Sequence, residues 1–199
     1  MTRTPKDPRT PYMERLGEIT ATFSELEWQM AESIYMLATT FETEFAGVRD
    51  ERVLVLIAGE DFRVLLLKLR SICHYCISDR KMLKTFDTFL DYLGQLNGKR
   101  NEYVHTHNWD FSVVSGMWRI KIKRNPAKQI DLLVETKTSL KEMDKLIQEA
   151  SDAIVQLIRL IDHNMLSIKS QFYEKFKKRE KDTYGVPPDP LPDTGSLPF

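Results

Sequence analysis

Cysteine is scarce in this sequence, with two residues in 199, so the chain cannot supply the several thiol pairs of a small disulfide-stabilised secreted scaffold. The sequence also lacks a continuous run of about eighteen apolar residues, which predicts that no helix spans a membrane. Residues 1–8 have no apolar core of the kind found in secretory signals. These absences together predict a cytoplasmic protein.

Net charge is absent as well, because 29 basic residues balance 29 acidic ones. This balance argues against a protein that coats nucleic acid over its whole surface, but it leaves a local basic patch open. The length and the 42% hydrophobic content suit one domain with a proper core. We predict a disordered N-terminal segment at residues 1–10, a helical domain at 11–181 and a Pro-rich disordered tail at 182–199.

Helical periodicity dominates the predicted domain. Apolar residues recur every three or four positions along four segments, as they do on the buried face of a helix. The third segment follows Ser78-Asp79, a favourable N-cap pair. The predicted helices cover residues 13–41, about 52–76 with a break near Gly59, the stretch from residue 79 to about 105, and a last segment from about 138 to 181.

The pattern changes after His107. Residues Phe111 to Lys123 alternate loosely, and from Trp118 to Lys123 apolar and basic side chains alternate strictly, which is typical of a strand. Asn125-Pro126 supplies a turn, and Ile130 to Val134 resembles a returning strand. The predicted fold is therefore mainly α, a four-helix bundle with a small β-hairpin inserted between the third and fourth long helices.

The segment with the strongest functional chemistry is Arg100-Asn101-Glu102-Tyr103-Val104-His105, at the end of the third helix. Histidine transfers protons near neutral pH, and arginine presents a fork of donors to phosphate oxygens. Asn101 and His105 share a helix face, so Asn101 can orient the histidine or a ribose hydroxyl. These groups suit a metal-independent attack on an RNA phosphodiester. The same residues also suit an ordinary helix C-terminus, where cations complement the helix dipole.

A helical bundle whose third helix ends in Arg100-Asn101-x-x-x-His105 resembles the HEPN superfamily, over roughly residues 10–175. The resemblance implies an RNA-directed nuclease of toxin–antitoxin or phage-defence systems. It implies a homodimer in which the motifs of two subunits face one cleft, and an antitoxin as a possible regulatory partner. In one toxin branch a modified tyrosine stands two positions after the histidine. His107 occupies that position here, so such a modification is not expected.

Two further residues of this segment are candidates for a supporting role, His107 and Glu102. A second acid or base is needed because protons must move on both sides of the bond that is cut. A second copy of His105 from a dimer is one source, and His107 is the other. Acids of the first helix, Glu25, Glu27 and Glu32 among them, can pair with Arg100, and the sequence leaves the choice open.

A basic stretch follows the motif and contains no acid from residue 119 to residue 128. Its position on the predicted hairpin suits contact with a phosphate backbone, although a solvated strand face has the same pattern. The candidate RNA-binding residues are Arg119, Lys121, Lys123, Arg124 and Lys128.

No cofactor and no metal are predicted. Cys73 and Cys76 are the only cysteines, whereas a structural zinc site usually takes four ligands. The sequence thus predicts a metal-independent endoribonuclease that cleaves RNA by 2′-OH attack. The alternative is a non-catalytic dimeric helical module that binds RNA, nucleotide or a protein partner.

Overall fold

The computed structural model of the protein describes residues 7–39, 55, 57, 59–106, 108–112, 116–125 and 130–184. Within these ranges the fold is mainly helical, with a three-stranded antiparallel sheet between the third and fourth long helices. None of the helices in the described ranges combines the length and apolar character needed to cross a membrane. The helices are α1 (Thr10–Thr39), α2 (Phe62–Cys76), α3 (Arg80–Val104) and α4 (Leu140–Tyr184), and the strands are β1 (Asn108–Ser112), β2 (Gly116–Asn125) and β3 (Ile130–Thr138).

Side-chain caps start α3 and α4 where the sequence predicted them. The Asp79 carboxylate accepts a hydrogen bond from the backbone N–H of Lys81 at 2.7 Å. Ser139 and Glu142 each accept a hydrogen bond from the other's backbone N–H at 3.2 Å, which forms a capping box. These bonds satisfy N–H groups that have no partner inside the helix. The predicted starts near Asp79 and Ser139 are confirmed.

The break predicted near Gly59 is also present. Gly59 has a φ of 77°, a backbone conformation that glycine adopts without steric cost. The Asp61 carboxylate then accepts a hydrogen bond from the N–H of Val64 at 2.9 Å, and α2 begins at Phe62. Of the earlier part of the predicted second helix, residues 52–54, 56 and 58 lie outside the described residues.

Ion pairs between helices show how the end of α3 is placed. Arg15, near the start of α1, pairs with Asp144, near the start of α4. Near the end of α3, the Lys99 ammonium lies 2.6 Å from a carboxylate oxygen of Glu149. The end of α3 therefore lies close to the N-terminal part of α4. The core between the helices contains large buried side chains, among them Phe23, Leu26, Phe62, Phe86, Leu90 and Leu93.

The predicted hairpin is part of a larger sheet. Strand β2 pairs antiparallel with β3 and also with β1, which the sequence pattern did not separate from β2. Gly116 opens β2 with a φ of 88°, a conformation that favours a reversal of the chain. Residues 113–115 between the two strands lie outside the described residues.

One face of the sheet packs against the helices. Met117, Arg119 and Thr138 are buried on that face, whereas Trp118, which points to the other face, is only half-buried. Trp109 stands opposite Arg119 in the register of β1 and β2 and packs against the core. The alternation of β2 was predicted correctly, and contact with the helices gives Arg119 a buried position.

Candidate functional site

The C-terminal end of α3 carries all three motif residues. Arg100 and Asn101 lie within the helix, and His105 is its C-cap with φ −101° and ψ 33°. The backbone N–H of His105 donates to the carbonyl oxygen of Asn101 at 3.2 Å, which closes the last helical turn. The His105 side chain is exposed. The helix therefore ends at the histidine and presents it to solvent beside Asn101.

The Arg100 side chain extends round the helix towards Asn101. A straight helix separates Arg100 from His105 by about 140°. The Nη1 atom of Arg100 nevertheless donates to Oδ1 of Asn101, at the long distance of 3.4 Å. Its Nε atom is buried and has no hydrogen-bond partner within the described structure. The Arg100 guanidinium thus contacts Asn101 but keeps a buried N–H group without an acceptor within the described structure.

Glu27 of α1 is an acid that interacts electrostatically with Arg100. Burial raises the pKa of Glu27, the positive charge of Arg100 opposes this rise, and the negative charge of Asp61 adds to it. Glu27 lies one helical turn after Phe23, whose ring is below the Arg100 guanidinium. Sequence reasoning left the choice among the acids of the first helix open, and the structure shows an electrostatic interaction between Glu27 and Arg100.

Asn97 is a polar residue of this region that the sequence analysis missed. It lies one turn before Asn101, and its Oδ1 atom is buried without a partner among the described groups. Buried polar atoms in native proteins normally have a partner in protein or water. The spacing of four from Asn101 was the available signal, because residues four apart share a helix face.

The supporting residue Glu102 is exposed and points towards the sheet. Its Oε2 atom lies 3.4 Å from Nη1 of Arg119. His107, the other predicted supporting residue, lies outside the described residues. Glu102 is therefore linked to a basic residue of β2.

Arg119 is buried, unlike the solvent-facing cation that a basic strand face suggests. Its side chain is 9% exposed, and the guanidinium carbon lies 4.2 Å from the centre of the Tyr103 ring. Lys121 is half-buried on the same face of β2. An RNA-binding role for this stretch stays a prediction. Of the remaining candidates, Lys123 and Arg124 lie in β2 opposite Leu132 and Asp131, and Lys128 lies outside the described residues.

The two cysteines belong to the packing of α2. Cys73 and Cys76 are both buried, and burial raises the pKa of their thiols to about 12 and about 11. Such thiols are protonated at neutral pH and are poor ligands and nucleophiles. Among the residues that the structure describes, no group of three or more His, Cys, Asp and Glu side chains is arranged to hold a metal ion.

No protein-family model matches the chain, and neither a curated protein nor a solved structure does. The HEPN resemblance therefore depends on the motif and on the helix order, and it stays a prediction.

Proposed function

We propose that the chain is a HEPN-like endoribonuclease of the toxin or phage-defence type that cleaves RNA without a metal ion. The observation that carries the proposal is the end of α3. There Arg100 donates to Asn101, and the next turn ends at the exposed His105. A phosphate binder and a proton-transfer group thus lie on adjoining turns of one rigid element.

Each of these three residues has its own role in the proposed reaction. The ribose 2′-OH loses its proton to a base and its oxygen bonds to phosphorus, while the bond from phosphorus to the 5′ oxygen breaks. The leaving oxygen takes a proton from an acid. His105 performs the proton transfer, Arg100 stabilises the charge on the phosphorus oxygens, and Asn101 orients the ribose or the imidazole. The products are a 2′,3′-cyclic phosphate and a 5′-OH.

One histidine does not easily serve both sides of the bond. In our proposal the helices form a four-helix HEPN-type bundle that assembles as a homodimer, and the second His105 comes from the other subunit. The exposed position of His105 at a helix end supports this arrangement, because a group at a surface is accessible to a second copy. The proposed setting is the cytoplasm, with an antitoxin or another protein as regulator.

The alternative function is a non-catalytic dimeric module that binds RNA, nucleotide or a protein partner. Exposed apolar side chains on α4 favour it, since Leu166 is 82% exposed and Tyr173 is 55% exposed. These two residues are seven positions apart and therefore lie on one face of the helix, which a partner can cover. Such a module needs the fold but not the proton transfer by His105.

The proposal is tested with purified protein in EDTA, incubated with a mixed pool of tRNA and mRNA. A matched strand with 2′-O-methyl riboses serves as the control substrate, because it lacks the attacking hydroxyl. We expect cleavage of the RNA pool, cyclic phosphate at the new ends and no cleavage of the methylated strand. Cleavage of the methylated strand, or 5′-phosphate ends, would contradict attack by the 2′-OH.

A further inference from the structure

A small cleft lies between the end of α3 and the sheet face that packs against the helices. Its volume is about 30 Å³. In the sheet register Arg119 stands opposite Thr136, and Lys121 stands opposite Val134, so these four residues share one face. The cleft is lined by Glu102, Thr106, Arg119, Lys121, Val134 and Thr136.

The cation in this cleft is the Arg119 guanidinium, which is buried but lacks a full set of hydrogen-bond partners within the described structure. The Arg119 side chain is 9% exposed, and its Nε atom is buried without a hydrogen-bond partner within the described structure. Its Nη1 atom reaches Oε2 of Glu102 only at 3.4 Å, beyond the usual range for an N–H···O bond. A buried guanidinium with a free N–H favours an anionic acceptor with several oxygens.

We propose that this cleft is a phosphate subsite, which binds a backbone phosphate of the RNA strand next to the bond that is cut. The Glu102 carboxylate occupies the phosphate's place in the free protein. Arg119 and Lys121 supply the charge, and the hydroxyl of Thr136 supplies a neutral donor. The inference rests on the proposed function for the identity of the strand.

The subsite is next to the candidate catalytic residue along α3. Thr106 directly follows His105, and Glu102 lies three positions before it. At 100° per residue, His105 lies between Asn101 and Glu102 round the helix axis. Residues three or four apart have Cβ atoms about 5–6 Å apart. A strand whose reacting phosphate lies at Arg100 and His105 can therefore place another phosphate in the cleft.

Glu102 has to move for a phosphate to enter. A volume of about 30 Å³ accommodates one or two water molecules but not a phosphate group. The Glu102 side chain is 58% exposed, so rotation into solvent requires no unfolding. When it rotates, the cleft keeps Arg119 and Lys121. Within the described residues no carboxylate forms an ion pair with Lys121.

The test uses a single-stranded 2′-O-methyl oligoribonucleotide with a fluorescent label, whose binding is followed by anisotropy. This strand binds but has no 2′-OH for the reaction, so binding is measured whether or not the protein is a nuclease. Glu102→Gln removes the competing charge and Lys121→Ala removes a cation. Lys137→Ala is the matched control, because Lys137 is an exposed lysine that stands opposite Trp118 on the other face of the sheet.

We expect Glu102→Gln to bind the strand roughly three- to tenfold more tightly and Lys121→Ala to bind it roughly three- to tenfold more weakly. Lys121→Ala also lowers the slope of log K against log salt by about 0.7, the value for one phosphate contact on a single strand. Lys137→Ala changes neither quantity. Circular dichroism of each variant checks the fold.

Two results would overturn the subsite. In the first, Glu102→Gln binds no more tightly than wild type and Lys121→Ala is indistinguishable from Lys137→Ala. In the second, inorganic phosphate binds in an Arg119-dependent way but the variants do not alter binding of the oligonucleotide, which assigns the cleft to a free anion. If these variants behave as expected while RNA is never cleaved, the cleft binds a backbone phosphate of a strand that the protein does not cut, and the nuclease proposal fails.

Discussion

The guanidinium of Arg100 lies over the ring of Phe23, with 6.0 Å between Cζ and the ring centre. The Phe23 ring in turn packs against that of Phe62, with 6.0 Å between their centres. These contacts join α3 to α1 and α1 to α2. The three helices thus hold Arg100 at the boundary between core and surface. Its guanidinium packs on Phe23 there and faces Asn101.

Replacement of Arg100 by lysine tests whether the fork or only the charge is needed. Lysine keeps the charge but lacks the planar set of donors that spans two phosphate oxygens. We expect Arg100→Lys to lower the rate of RNA cleavage by about 100-fold, and to change the free energy of unfolding by about 1 kcal/mol or less. Single-turnover cleavage and urea unfolding measure the two effects. Lys84→Ala, at an exposed lysine near the other end of α3, is the control. Wild-type cleavage by Arg100→Lys would contradict the assigned role.

Glu27 gives a prediction with a defined pH dependence. Burial raises the pKa of Glu27 more than Arg100 lowers it. A raised pKa in the folded state means that the folded protein binds the proton more tightly than the unfolded chain. The contribution of Glu27 to stability is therefore largest at low pH and is lost as pH rises above about 4.3, the ordinary pKa of glutamate.

We therefore expect Glu27→Gln to stabilise the protein more, or destabilise it less, at pH 7 than at pH 4. Urea unfolding of wild type and Glu27→Gln at the two pH values measures this difference. Glu25→Gln is the matched control, because Glu25 is an exposed acid on the same helix. The opposite order, with Glu27→Gln losing most stability at pH 7, would show that attraction to Arg100 outweighs burial.

The helix starts could be predicted because their causes are local. Asp79 and Ser139 bond backbone N–H groups within three residues of themselves, so the short sequence around each contains the whole signal. The break near Gly59 is local for the same reason, since it depends on one positive φ. The order of helices, with a β-hairpin before the last, was predicted from the period of the apolar residues, which is also a local signal.

The environment of the motif could not be predicted in the same way. The interaction of Glu27 with Arg100 joins residues of α1 and α3, and several acids of α1 had the right charge. The position of Arg119 depends on which face of β2 meets the helices. The alternation predicts that β2 has an apolar face and a basic face, but not which of them is buried. Here the basic face packs against the helices, where Arg119 contacts the Tyr103 ring.

Arg119 is expected to contribute to stability, in contrast to its neighbour on the same strand. Arg119→Ala removes a buried side chain that packs on Tyr103, and we expect a loss of about 2 kcal/mol in the free energy of unfolding. Lys121→Ala removes a half-buried cation and is expected to cost about 0.5 kcal/mol or less. Urea unfolding at pH 7 compares the two variants. Equal stability of both would show that the contact with Tyr103 contributes little.

The thiols give a prediction that needs no mutation. Burial raises the pKa of Cys73 to about 12 and that of Cys76 to about 11, so almost no thiolate is present at neutral pH. We expect neither residue to react with iodoacetamide in the native protein, and both to react once guanidinium unfolds the chain. Mass spectrometry after timed labelling measures this. Rapid native labelling of Cys73 would show that α2 opens locally.

The most direct test of the central claim is the rate of RNA cleavage in EDTA by His105→Ala. His163→Ala is its control, because His163 is an exposed histidine on α4 whose Nδ1 lies 2.9 Å from its own helix's Arg159 carbonyl oxygen. We predict that His105→Ala lowers cleavage by at least about 100-fold and keeps the wild-type unfolding transition, while His163→Ala cleaves normally. Wild-type cleavage by folded His105→Ala would contradict the account.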